Sequence, residues 1–361
     1  MGSLGWPYLL TPFIPVAIAL RLAGAGDAVV FVTSALGIIP TAALMSQATQ
    51  ELAARSGPGI GGLLNVTFGN APELIIALFA LDKGLQEVVK AALVGSIIGN
   101  ILLVLGAAML LGGLGRQKQV FSKTTASAQT SMLLLAAAAM TMPAVFVLVE
   151  GRGLPSPGSV MVNYGSDVEH LSLIVAAILI VTYIAGLFFS LRTHRDLFNP
   201  DYEDEAAVGW SVRKSVGMLA LAGVAVGVMS EILVGSLAAA SHSLGLSEFF
   251  IGVIVVAIVG NAAEHWVAVA VAMKDKMDLA VNIAIGSSTQ VALFVAPVLV
   301  IASFFIGAFP MPLVFNGFEL AALFLAVLIA NYVTNEGESN WFEGFQLLAV
   351  YTILGIAFFY A

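Results

Sequence analysis

Eleven stretches of this 361-residue chain are apolar over roughly the twenty residues that a helix needs to cross a bilayer. They fall at about 4–22, 27–50, 59–81, 88–112, 126–149, 168–191, 212–241, 248–273, 279–305, 315–334 and 341–360. Pro7, Pro12 and Pro15 interrupt the first of them. The runs are apolar on every face and lack the residue-by-residue alternation of barrel strands, which excludes a β-barrel. Charged residues make up 10% of the chain, against about 25% in soluble domains, too few to clothe a soluble fold of this size. The expected fold class is an all-α membrane protein with about eleven transmembrane helices. The net charge of −8 opposes a nucleic-acid partner, and the absence of cysteine removes disulfide and thiolate chemistry. No basic stretch precedes the first apolar run, so a cleaved signal peptide is not expected.

Eleven spans put the loops on alternating sides. Ten Lys and Arg residues then fall on the side of the N-terminus, and four fall on the other: Arg21, Lys83, Lys90 and Arg152. The positive-inside rule places the N-terminus in the cytoplasm and the C-terminus outside. The longest polar connector carries the acidic run Asp201-Tyr202-Glu203-Asp204-Glu205.

The chain repeats itself. Gly69-Asn70-Ala71-Pro72-Glu73 recurs as Gly260-Asn261-Ala262-Ala263-Glu264, and Gly95-Ser96 recurs as Gly286-Ser287, both at an offset of 191. Eight of the 28 positions in 69–96 match 260–287 without a gap. The predicted organisation is an extra N-terminal helix (1–26), a first five-helix repeat (27–191), an acidic cytoplasmic linker (192–211) and a second five-helix repeat (212–361). Because five is odd, the two repeats must have opposite topology, the design of many secondary transporters with a site at the midplane.

Glu73 and Glu264 both fall near the middle of their spans. A carboxylate there costs about 2.5–3.5 kcal/mol on insertion scales and marks a functional site by default; the alternative is a pair of protonated glutamates bonding between helices. Glycine and asparagine before each acid loosen the helix and can satisfy freed backbone groups, and Pro72 removes one N–H outright. Each helix is therefore expected to break beside its acid, freeing carbonyls that a hard divalent cation can use. The lack of thiolates favours calcium, with manganese open, over copper or zinc. Ser96, Ser287 and Gln290 are either packing residues or neutral oxygen ligands. His265 adjoins Glu264 but diverges from it by about 100° on a helix, so it is expected to face a neighbouring helix, with either a structural hydrogen bond or a part in proton handling. Glu231 is expected at the outer interface.

Two registered Gly-Asn-Ala-x-Glu blocks, each followed by a Gly-Ser helix, resemble the signature repeats of the cation/calcium exchanger superfamily. Gly-Asn-Ala-Ala-Glu-His at 260–265 with Gly-Ser-Ser-Thr-Gln at 286–290 is similar to its calcium/proton exchanger (CAX) branch. The resemblance implies metal-binding roles for Glu73 and Glu264, with Asn70, Asn261, Ser96, Ser287 and Gln290 in support. Sodium-coupled relatives carry Asn or Asp in a Gly-Ser-Asn-x-x-Asn/Asp pattern on both following helices; here Asn100 stands alone, which favours protons.

The expected function is antiport of Ca2+ against H+ by alternating access. Carboxylates removed from water and crowded together prefer to be neutral. Glu73 and Glu264 would then hold either protons or Ca2+, and the charged empty state would be disfavoured. Proton coupling is expected at Glu73, Glu264 and His265. No cofactor is expected, Ca2+ being the substrate and H+ the coupling ion. The expected partners are these ions and membrane lipid; the sequence is compatible with a homo-oligomer. The expected location is the cell membrane of a prokaryote. The alternatives are a sodium/calcium exchanger of the same fold and a cation channel. An enzyme is not expected, for the chain shows no catalytic triad, aspartate pair of protease type or His-Glu-x-x-His helix.

Overall fold

A computed structural model describes residues 5–159, 162–193 and 209–361. Twelve main helices are present among them: α1 Phe13–Leu22, α2 Asp27–Arg55, α3 Gly57–Gly69, α4 Ala71–Asp82, α5 Gln86–Gly113, α6 Lys123–Val149, α7 Ser166–Thr193, α8 Val212–Leu244, α9 Glu248–Met273, α10 Met277–Ala302, α11 Gly317–Thr334 and α12 Trp341–Tyr360. Nine are long and apolar enough to cross a membrane, and the bent pair α3–α4 makes a tenth. This is an integral membrane protein.

The first expected span is shorter than a crossing. It comprises a 3₁₀ turn, Pro7–Leu10, and the ten-residue α1, with Pro12 at the N-cap of α1. Prolines supply no backbone N–H and fix φ, so Pro7, Pro12 and Pro15 fragment the run. Even Pro7–Leu22 taken whole falls short of the roughly 20 residues a span needs. The acidic run Asp201–Glu205 lies outside the described residues.

The chain packs as two compact units, each assembled from separated stretches. One comprises 1–79, 181–244 and 259–263. Its core is α2 against α8. The Met229 sulfur lies over Gly37, and the Met45 methyl lies over Gly223, so residue numbers rise along one helix as they fall along the other. The two helices are antiparallel.

The other unit comprises 80–180, 245–258 and 264–361. Here α5 and α10 pack together, and α10 also packs on α6. At Gly95 on α5, an added Cβ would fall 2.1 Å from the Val253 carbonyl oxygen, so only glycine admits that approach. A two-residue antiparallel pair, β1 (Gln119–Val120) and β2 (Glu338–Ser339), joins two connectors.

The 191-residue offset reappears in the backbone. Helix α4 ends at Asp82 and α9 at Met273. The next turns carry positive φ at Gly84 (75°) and Asp275 (64°), the latter alone among described non-glycine residues. Helices α5 and α10 each widen into a π-helical turn, at Gly99–Val104 and Val291–Val295. Between them Ser288 Oγ lies 3.4 Å from the carbonyl oxygen of Ile97, its own repeat equivalent.

Candidate ion-binding site

The first motif sits at a helix break. Helices α3 and α4 meet at 41° around Asn70, whose φ of −95° and ψ of 16° end α3. Pro72 explains the break: it has no N–H to give the preceding turn, and it disfavours helical backbone at Ala71. Pro72 is harmless in the first turn of α4, where an N–H would lack a helical partner anyway. The Leu74 N–H bonds to the Asn70 carbonyl at 3.1 Å, opening α4. Glu73 therefore stands in the first turn of α4, where the helix dipole favours a negative charge.

The second motif reaches the first. Within the same compact unit, a Cβ added at Gly260 would fall 3.3 Å from Glu73 Cγ and 3.6 Å from Ile76 Cδ1. Gly260 thus lets the α9 backbone lie against the Glu73 side chain. Asn70 and Asn261, the asparagines of the two motifs, are each 1% exposed.

Glu264 follows Gly260 by one turn of α9. Its carboxylate accepts a hydrogen bond from the Ser287 hydroxyl of α10, and no protein donor among the described residues reaches its buried Oε2. Glu73 and Glu264 are both half-buried, while Ser96 and Ser287 are buried. Gln290 ends the α-helical part of α10, just before its π turn. His265 turns aside from Glu264 and pairs with the next helix, its Nε2 lying 3.1 Å from Asn100 Oδ1 in the π turn of α5. Glu231 is exposed.

The expected break in the second motif is absent. Residues Ala257–Met273 form one continuous helix through Gly260 and Asn261. Ala263 stands where the first motif has Pro72 and keeps its N–H, so Gly-Asn alone does not interrupt the ladder. The irregularity lies further upstream, as a π-helical turn at Ile251–Val256. No group of three or more His, Asp or Glu side chains is placed to hold a metal among the described residues.

Two polar clusters escaped the sequence reading. Lys90, counted above as a loop charge, is 0% exposed. Its ammonium lies 2.7 Å from Glu87 Oε1 and donates to the Val314 carbonyl at 2.6 Å. Glu319, also 0% exposed, accepts from the Asn316 N–H and caps α11 close by. The minority side of the charge count therefore rests on three residues. The clue was a lysine and a glutamate one turn apart at the start of an apolar run. The second cluster joins α6 to α10: Gln129 Nε2 donates to Asn282 Oδ1 at 2.8 Å.

Comparison with known proteins agrees with this architecture. The family described as "Sodium/calcium exchanger protein" matches residues 27–192 and 214–360. The "Ca(2+)/H(+) antiporter" of Synechocystis sp. is 45% identical over 98% of this chain and 96% of its own length. The "Ca(2+)/H(+) antiporter ChaA" of Bacillus subtilis is 44% identical over 97% of each. The solved structure of native YfkE superposes with a TM-score of 0.83 at 40% identity, covering 98% of this chain and 100% of that one. The solved structure of the H+/Ca2+ exchanger CAX has the same fold at a TM-score of 0.72 and 15% identity, covering 96% of this chain and 87% of its own. By these matches the chain belongs to the sodium/calcium exchanger family, and within it to the calcium/proton exchanger branch.

Proposed function

We propose that this protein exchanges Ca2+ for H+ across the membrane, with Glu73 and Glu264 holding either protons or Ca2+. The observation that carries the reading is the approach of Gly260 to Glu73, the backbone of one motif against the acid of the other. The hydrogen bond from Ser287 to Glu264 supports it, because a neutral donor steadies a carboxylate without competing for it as a cation would. So do the names of the relatives at 44–45% identity.

The chemistry follows from charge. A carboxylate removed from water prefers the neutral form unless a cation compensates it. Protons and Ca2+ each provide compensation, so each displaces the other. The protein would cross between inward-open and outward-open forms when loaded with either, and the uncompensated form would be too costly to cross. Inverted repeats, with the N-terminus in the cytoplasm, supply two related conformations. Asn70, Asn261, Ser96 and Gln290 would contribute neutral oxygens. His265, paired with Asn100, is assigned to holding α9 against α5 rather than to carrying the exchanged proton. The protein is a transporter, not an enzyme.

Ca2+ binding to the purified protein, measured from about pH 5 to about pH 9, tests this. Two interacting carboxylates release protons in coupled steps that belong to the pair. Apparent Ca2+ affinity should fall as pH falls through those steps. Glu73→Gln and Glu264→Gln should each abolish exchange in proteoliposomes while leaving folded protein, and should flatten the pH dependence. Affinity flat across the range in the wild type would remove protons as the coupling ion.

A further inference from the structure

The α6–α10 interface carries a file of polar groups that the ion site does not use. On α10, Asp278, Asn282, Gly286 and Thr289 recur at intervals of four, four and three residues, which keeps them on one face of the helix. That face meets α6. Asp278 Oδ1 accepts from the Ser122 N–H at 2.5 Å, Asn282 Oδ1 accepts from Gln129 Nε2 at 2.8 Å, and the Thr289 hydroxyl donates to the Gln129 carbonyl at 3.4 Å. Asp278 is exposed, so the file begins at solvent beyond the helix end. Its far end stands level with Ser287, the donor to Glu264.

Two further observations point to water in this file. Gln129 Oε1 is buried, and no protein donor among the described residues reaches it. Buried polar atoms in folded proteins pair with protein or with ordered water. Gly286 lies between the face turned to Gln129 and the face carrying Ser287 and Gln290. Having no side chain, it leaves the way between them unblocked; an added Cβ would meet Gln129 Nε2 at 3.8 Å. The equivalent file on α5 does not exist. The positions 191 residues earlier are Glu87, Ala91, Gly95 and Ile98, and the Val253 backbone fills the space at Gly95.

We infer that the α6–α10 interface is a hydrated proton path, lined by Gln129, Asn282 and Thr289, that connects Glu264 with water at the Asp278 end of α10. A proton leaving Glu264 passes to the first water, each water hands one on, and one proton enters bulk water at Asp278; the return runs in reverse, with no net change in the file. Ca2+ needs oxygen ligands throughout and is not carried there. The inference rests on the reading that Glu264 exchanges protons.

Two measurements test it. Because the chain has no cysteine, Asn282→Cys introduces the sole thiol. A hydrated path lets a small water-soluble thiol reagent modify it in folded protein; a thiol that stays unmodified while an exposed control cysteine reacts overturns the path. This readout needs no transport, so it stands apart from the role of Glu264, which Glu264→Gln tests alone. In proteoliposomes, Gln129→Leu should lower the maximal rate of proton-driven Ca2+ uptake about tenfold, as loss of a positioned proton-transfer group does. It should enlarge the slowing by D2O and leave equilibrium Ca2+ binding unchanged. Gln129→Ser, which keeps a hydroxyl for water, should recover most of the rate. Wild-type rates in Gln129→Leu, or a parallel loss of Ca2+ binding, would reduce the cluster to helix packing and overturn the proposal.

Discussion

Helices α5 and α10 are one design used twice, and they differ most at their N-terminal ends. Both follow a positive-φ turn, both carry Gly-Ser, and both widen at the same register. Yet α5 begins with Glu87 and Lys90, buried and paired to each other and to the Val314 carbonyl. Helix α10 begins with the exposed Asp278, tied to the N-terminus of α6. One end holds its charges paired inside protein, and the other carries its charge exposed. The backbone geometry of the two helices matches while the chemistry of their ends does not.

The strongest way to break this comparison is to unseal α5. Lys90→Met leaves the Glu87 carboxylate and the Val314 carbonyl buried without the ammonium, and should cost about 3–5 kcal/mol. Thermal unfolding in detergent, or the yield of folded protein, would register it. Adding Glu87→Gln removes the uncompensated charge and should recover part of the loss. Unchanged stability in Lys90→Met would mean that the ion pair seals nothing.

A middle-sized effect is expected at Ser287. A hydrogen bond to a charged group is worth about 1.5–3 kcal/mol, so Ser287→Ala should shift the Ca2+ half-saturation roughly tenfold or more. The direction follows from the loss of orientation: binding weakens. Running Ser96→Ala beside it sharpens the comparison, since equal effects would extend the symmetry of α5 and α10 to their site chemistry. The smallest effect belongs to Asp278→Asn. Its bond to the Ser122 N–H is at the surface, and an amide oxygen can still accept it, so the loss should stay below about 1 kcal/mol in denaturant unfolding.

What the sequence made legible has a common physical character. The long apolar runs announce spans because lipid tolerates little else, and the 191-residue register survives because Gly, Asn and Glu are each hard to replace at their positions. Pro72 was readable as a break because its missing N–H acts locally. The second motif does not break, because Gly260 and Asn261 permit irregular backbone without compelling it; only Pro72 compels. Nothing local to Lys90 marks it as buried, because its partner Val314 lies 224 residues away. Gln129 and Asn282 were silent for the same reason, being 153 residues apart. A polar side chain in a span declares itself; the partner that gives it a role does not.

The matched π turns in α5 and α10 bear on ancestry. A π turn is a single residue inserted into a helix, and Val291–Val295 falls where the first half has 100–104. Two separate insertions at one register would be a coincidence. The backbones of α5 and α10 therefore correspond at their wide turns, while the residues that open the two helices, Lys90 in one and Asp278 in the other, do not.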